Sequence, residues 1–429
     1  MKKLLSFLAV SLVCKAHAGG TFEVRAFGAT GDGKTLDTGA IQAALDRCGQ
    51  AGGGIVHFAP GVYLTKPLFL STKTTLQIDP GAKLLGTDEP GDYTKTGAKG
   101  KTGSASFNGL INGKNLTDIT ISGGGTIDGA GARWWVPAEA AREKTPGYSM
   151  PRPRMISIAN SRNVRVTDVT LQNSPSYHFV PADCENVLVS NVTVLAPERS
   201  PNTDAIDPSA CKNVLITKCR IDVGDDNVAI KSGHKVEGRE FACEDITVTD
   251  CVFLHGHGMS IGSESTGGVH NVNVKNCVFV NTENGLRIKS QRGKGGVVEN
   301  INYSDLVMTN VDPAITFTCY YQQNSAGDPS QKPLPQDDSA QPVTQGTPVF
   351  RDIHVSNVTA TCQRSAGLIV GLPESVISNV VFSNVQITAV SAFKIENASG
   401  IQFKNSRVSV QNGEAFALKN AKVEGVGKE

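Results

Sequence analysis

Beyond its first eighteen residues the 429-residue chain has no apolar run long enough to cross a membrane as a helix. That excludes a helical membrane protein. Aromatic residues make up only 6%, so the core must rest on Val, Ile and Leu. A charge excess is also missing, with 41 Lys and Arg against 40 Asp and Glu. Nothing global attracts a polyanion, nucleic-acid binding has no support, and any such attraction must be local. The cysteines lack zinc-site spacing, so neither a structural metal nor a cofactor is expected.

The chain opens with Met1-Lys2-Lys3, an apolar stretch from Leu4 to Cys14, and Ala16-His17-Ala18 before Gly19. A basic start, a short apolar core and an A-x-A end predict a secretory signal over residues 1–18, cut after Ala18. The surroundings of Cys14 match a lipoprotein anchor poorly. Removal of residues 1–18 takes Lys2, Lys3 and Lys15 and no acid, leaving 38 basic against 40 acidic residues. The product is expected to be secreted, soluble and free of the membrane.

What the chain has is a repeat. Asn or Asp, an aliphatic, any residue, an aliphatic, and then a turn residue with a second apolar pair begins at Asp118, Asn163, Asn186, Asn213 and Asp245. It resumes at Asn271, Asn300, Asp352 and Asn379, with a weaker copy at Gly400. Starts fall mostly 21 to 32 residues apart. Each copy alternates with period two and predicts a short strand. One copy cannot bury its apolar face, whereas stacked copies bury a continuous column. The leucine framework of leucine-rich repeats is absent, and propeller blades need longer repeats with hairpins. The pattern predicts an all-β, single-domain right-handed parallel β-helix over residues 19–429.

An N-terminal capping helix is expected from Thr38 to Cys48, with Ile41, Ala44, Leu45 and Cys48 on one face and Asp37 as its N-cap. Residues 322–346, rich in Gln, Pro, Ser and Asp, break the period and predict a long surface loop. Trp134 and Trp135 lie in another insertion. Cys219, Cys251 and Cys277 share the seventh repeat position, which points to small buried apolar residues. Cys184, Cys211 and Cys243 each precede a repeat start by two, so they can stack, and a disulfide among them is open in an oxidising compartment. Nine cysteines follow residue 18, and an odd number leaves at least one thiol free or intermolecular.

Four short runs carry chemistry: Asn202-Thr203-Asp204, Gly224-Asp225-Asp226, Gly256-His257-Gly258 and Arg287-Ile288-Lys289. They lie about one repeat apart. Asp204 precedes Asp225 by 21 residues, Asp226 precedes His257 by 31, and His257 precedes Arg287 by 30. Counted from the repeat starts they share a phase, expected on the strand after the repeat strand. Three carboxyls, an imidazole and two cations would then line one face. Alone, each run is an ordinary turn, loop or solvated strand, but shared phase in consecutive coils argues for a site. Asp225 and Asp226 are adjacent and would point to opposite faces of a strand, so a bend at Gly224 is needed. Crowded carboxyls split their pKa values, the condition for acid and base in glycoside hydrolysis. Arg287 and Lys289 suit a sugar carboxylate.

In order and spacing these runs resemble the N-T-D, G-D-D, G-H-G and R-I-K signatures of the polygalacturonases, glycoside hydrolase family 28. The resemblance extends from Phe27-Gly28-Ala29-Thr30-Gly31-Asp32-Gly33 through Met259-Ser260-Ile261-Gly262-Ser263-Glu264 to the last coils. It implies a right-handed parallel β-helix that hydrolyses α-1,4-galacturonan with inversion. It implies Asp225 as general acid, Asp204 and Asp226 positioning and activating water, and His257 holding the protonation state of the aspartates. It implies substrate binding by Arg287 and Lys289, with Asn202 beside them. A tyrosine seven residues after Pro313 fits the family pattern and favours Tyr320 over Tyr321. The implied substrate is polygalacturonic acid or demethylated pectin, cut internally by a monomer without metal or cofactor.

Exo-acting relatives would keep the same residues and differ in loops. Rhamnogalacturonan hydrolases share the fold, but His257 and Arg287-Ile288-Lys289 favour homogalacturonan. Pectate lyases need calcium and a basic residue. A non-catalytic β-helix explains the repeats but not the in-phase aspartates. Lys231, His178, Arg292 and Lys294 are candidates for extending the groove or for solvated surface.

Overall fold

The computed structural model describes residues 19–99, 105–145, 148–321 and 339–425. The expected signal segment and residues 322–338 of the expected loop lie outside them. The chain winds as a right-handed parallel β-helix, the hand that parallel strand crossovers take. Among the described residues one parallel sheet system holds 28 strands, and a further four-stranded set continues one face.

Each coil places three strands in three rows. The repeat strands form the first row, with Ile119, Val164, Val187, Val214, Ile246 and Val272 in register. The second apolar pair forms the next row, where Ile127, Leu171, Val194, Ile221 and Phe253 align. The third row runs from Ile111 through Ile156 and Phe179 to Ile206 and Val228, then Met259, Leu286 and Ile315. All these inward side chains are at most 2% exposed. They form the continuous column that period-two alternation requires.

Why Asn and Asp open the repeats is visible in the backbone. Asp118, Asn163, Asn186 and Asn213 all have φ between 56° and 60°, a left-handed conformation that Asn and Asp tolerate. Their side chains also bond coil to coil. Asn163 donates to Asp118 at 2.8 Å, Asn186 to Asn163 at 3.0 Å and Asn213 to Asn186 at 2.6 Å. A second ladder runs from Asn191 to Asp168 at 2.8 Å.

The capping helix spans Thr38–Gln50 and buries Ile41, Ala44, Leu45 and Cys48, as its pattern predicts. Asp37 stands at its start without capping it by side chain. The carboxylate instead accepts from Thr30 N at 2.8 Å and Gly31 N at 3.0 Å. It fixes the incoming loop, while the Asp37 carbonyl takes the Ile41 N–H.

The tryptophan insertion is a helix, Ala132–Lys144, whose Trp134 meets Tyr93 and Phe107 edge-on. Cys219, Cys251 and Cys277 are buried as expected. Cys184, Cys211 and Cys243 are free thiols. Cys184 and Cys211 donate to the carbonyls of Ala182 and Pro181, each at 3.2 Å.

Candidate active site

The four runs converge, one row further along the coil than the sequence suggests. Only Arg287 and Lys289 lie on a strand, Leu286–Lys289 of the third row. The acids and His257 occupy the turns that lead into that row, ahead of the strands Val228–Ile230 and Met259–Gly262. This removes the difficulty of adjacent aspartates, because Asp225 and Asp226 sit in a bend where strand alternation does not apply. Gly224 makes the bend possible. A Cβ there would stand 2.4 Å from the Ser200 carbonyl oxygen. The glycines flanking His257 have a similar basis: Gly258 has φ +76°, and a Cβ would meet Asn284 O at 2.0 Å.

Asp225 faces His257, with Oδ1 3.0 Å from Nδ1. The other imidazole nitrogen, Nε2, is 3.0 Å from Glu283 Oε2. Burial pushes the Asp225 carboxyl up, but the charge and hydrogen bond of His257 outweigh it and bring it down to about 2. Burial opposes protonation of His257, and the Asp225 and Glu283 carboxylates raise it well above its ordinary value regardless. Both shifts favour the proton of this pair on His257.

Asp226 is the hub. Its Oδ1 accepts from Ser260 Oγ at 2.8 Å and from the Arg287 guanidinium, and its Oδ2 accepts from Lys289 Nζ at 2.9 Å. Arg287 Nε also donates to Ser260 Oγ at 2.9 Å. Burial pushes the Asp226 carboxyl up, but Arg287 and Lys289 hold it well below the carboxylate range.

Asp204, 3% exposed, behaves oppositely. Burial first, then Asp207 and Asp225, push its carboxyl well up, against the pull of Lys231. Asn202 connects the sides of the site. Its Oδ1 accepts from Arg152 at 2.6 Å, and its Nδ2 lies 3.4 Å from Asp225 Oδ2.

Of the two tyrosines, Tyr321 lies over the Lys289 ammonium, 5.0 Å from ring centre to Nζ. Tyr320, favoured by the spacing from Pro313, packs on the core and faces Arg292 at 5.9 Å. His178 belongs to neither groove nor surface. It is fully buried, with Nδ1 3.1 Å from the Asp204 carbonyl oxygen, and burial lowers its pKa to about 4. Lys231 turns into the acid cluster, and Arg292 pairs with Glu374 at 2.6 and 2.8 Å.

Sequence reasoning did not single out Ser260, Glu283, Arg152 or Asp207, and it placed Tyr321 behind Tyr320. Ser260 had a signal, since it stands in register with Arg287 on the preceding coil. Asp225, Asp226 and His257 offer ligand atoms within 4.8 Å of one another. Arg287 and Lys289 already pair with Asp226, and the neighbouring carboxylates favour the protonated form of His257, so the group suits a proton and an anion better than a cation.

Comparison with known proteins agrees with this geometry. A family model described as glycosyl hydrolases family 28 matches residues 76–410, and one for rhamnogalacturonase A/epimerase, pectate lyase-like proteins matches residues 21–118. A probable polygalacturonase of Vitis vinifera is 33% identical over 89% of this chain and 76% of its own length. An endo-polygalacturonase of Pectobacterium carotovorum subsp. carotovorum is 33% identical over 84% of this chain and 87% of its own. Among solved structures, the polygalacturonase of Erwinia carotovora ssp. carotovora superposes with a TM-score of 0.71 at 31% identity, covering 85% of this chain and 93% of its own. The exopolygalacturonase of Thermotoga maritima gives a TM-score of 0.71 at 27% identity over 95% and 92%. With its coils, its four runs and these relatives in agreement, the chain belongs to glycoside hydrolase family 28.

Proposed function

We propose that this glycoside hydrolase cuts α-1,4 bonds of polygalacturonan, internally and with inversion. The observation that carries the reading is the convergence of three differently tuned carboxyls with two buried cations on one face. Asp225 protonates the leaving glycosidic oxygen as the bond to the anomeric carbon breaks. Its proton comes from His257, 3.0 Å away. A water attacks the anomeric carbon from the other side and gives its proton to Asp204. Asp226 orients that water. Asp204 suits the base role better, because a raised pKa makes a carboxylate more willing to accept a proton. Asp226, held low by Arg287 and Lys289, stays ionised throughout. The uronate carboxylate shares those two cations with Asp226, with Tyr321 and Asn202 at the margins.

Internal cleavage is supported by the endo-polygalacturonase relative, and terminal cleavage by the exopolygalacturonase structure. We read residues 1–18 as a secretory signal and the product as a secreted monomer. No helix among the described residues is long and apolar enough to cross a membrane.

The deciding experiment follows viscosity and reducing ends together on polygalacturonic acid, with the first-formed anomer read by proton NMR. A steep viscosity fall at few new ends supports internal cleavage. Ends rising at nearly constant viscosity mean terminal cleavage. Retention of configuration overturns the mechanism, since inversion needs acid and base roughly 6.5–9.5 Å apart.

A further inference from the structure

Asp207 and Lys231 lie beside the reacting groups, yet none of the chemistry above uses them. We infer that they are positioning residues for the water-activating carboxylate: Lys231, shared between Asp207 and Asp204, pulls Asp204 towards its ionised form and fixes its direction. The inference rests on the reading of Asp204 as base.

The geometry is specific. Lys231 Nζ stands 2.8 Å from Asp207 Oδ2 and 3.3 Å from Asp204 Oδ2. Both acids are buried, at 1% and 3% exposure. Neither Asp207 Oδ1 nor Asp204 Oδ1 has a hydrogen-bond partner among the described residues. The single ammonium is therefore the common anchor of both carboxyls. The Lys231 backbone bridges to Ser209 on the preceding coil, and its ammonium lies 4.7 Å from the centre of the Tyr177 ring.

Two buried carboxyls this close cannot both ionise without a cation between them. Every other group around Asp204 makes the demand sharper or leaves it unmet. Asp225 and Asp226 add negative charge, Arg152 is committed to Asn202 and to the Pro175 and Pro201 carbonyls, and Tyr177 is neutral. His257 is spent on Asp225 and Glu283. Burial pushes Asp207 up too, to about 6, with Lys231 opposing.

The two residues thus act on Asp204 with opposite sign. Lys231 favours its charged form, and Asp207 disfavours it while also drawing off part of the cation. Removing Lys231 should shift Asp204 further towards its protonated form. Removing the Asp207 charge should give Asp204 the whole cation.

The test compares pH profiles of kcat and kcat/KM on polygalacturonate for wild type, Lys231→Met, Asp207→Asn and Asp204→Asn, with melting curves for each. Lys231→Met should move the acid limb up by about one pH unit or more. It should also lower kcat about 10- to 100-fold with KM nearly unchanged, as for weakened general base catalysis. Asp207→Asn should move the same limb down, and Lys231→Arg should restore part of the profile. Limbs that stay in place, or move in the same direction in both variants, overturn the inference. If Lys231→Met fails to fold, Asp207→Asn decides alone: a downward shift supports the pair and an unmoved limb overturns it. Activity retained in Asp204→Asn would overturn the base assignment itself. Loss there with unmoved limbs in the other variants would overturn only the role of Lys231 and Asp207.

Discussion

His257 Nδ1 stands 3.0 Å from Asp225 Oδ1, and the carboxylate raises the imidazole pKa well above its ordinary value. This has a consequence for stability. The folded pKa of His257 lies above its ordinary 6.5, so its contribution is complete below pH 6.5 and is lost as pH rises through the raised value. Asp225 is brought from 3.8 to about 2, so its contribution is complete above pH 3.8 and is lost as pH falls through 2. His257→Gln should therefore destabilise by about 2 kcal/mol, typical for a charged hydrogen bond, between those limits. Urea unfolding from pH 4 to 9 should show the difference from wild type shrinking on the alkaline side. A constant difference across that range would argue against the ion pair.

Asp225→Asn removes the proton donor to the leaving group. Hydrolysis of polygalacturonate should fall about 10²- to 10⁴-fold, the usual contribution of a general acid. On an aryl galacturonide whose phenolate leaves without protonation, the loss should be far smaller. Equal losses on both substrates would mean that Asp225 acts elsewhere in the reaction.

The coil and the four runs were legible because both follow from spacing. Period-two apolar residues at one inter-coil interval fix strand rows, and groups at the same interval share a face. What was illegible depends on turn geometry. The turns before the third row vary in length, so spacing could not show that Arg287 and Lys289 would close on Asp226 rather than stand open. Nothing in the spacing singled out Glu283 or Asp207. Asp37 had the right position for a cap, but the loop from Thr30 competes for its carboxylate, and only the fold reveals that competitor.

Tyr320 and Tyr321 differ by one position and face different cations. Tyr321 sits over Lys289, 5.0 Å away, and a cation–aromatic contact of this kind contributes about 0.5–2 kcal/mol. Tyr321→Leu should raise KM for polygalacturonate about 3- to 30-fold, with the melting temperature near wild type. Tyr320→Leu, which loses packing against the core, should lower the melting temperature and leave KM close to wild type. The reverse pattern would return Tyr320 to the substrate side.

Arg287 and Asp226 form a buried ion pair, at 3% and 2% exposure, and its energetics give a final test. Removing one partner of such a pair leaves an uncompensated buried charge, at a cost of about 3–5 kcal/mol. Arg287→Met should therefore be strongly destabilised at pH 7, with Lys289 left alone to hold Asp226. Adding Asp226→Asn removes the stranded carboxylate and should recover much of that loss, so the double variant should be more stable than Arg287→Met alone. Both variants should be inactive, which separates the stability effect from catalysis. Additive losses in the cycle, measured by urea unfolding at pH 7, would mean that the two side chains do not depend on each other, and the central role given to Asp226 would fail.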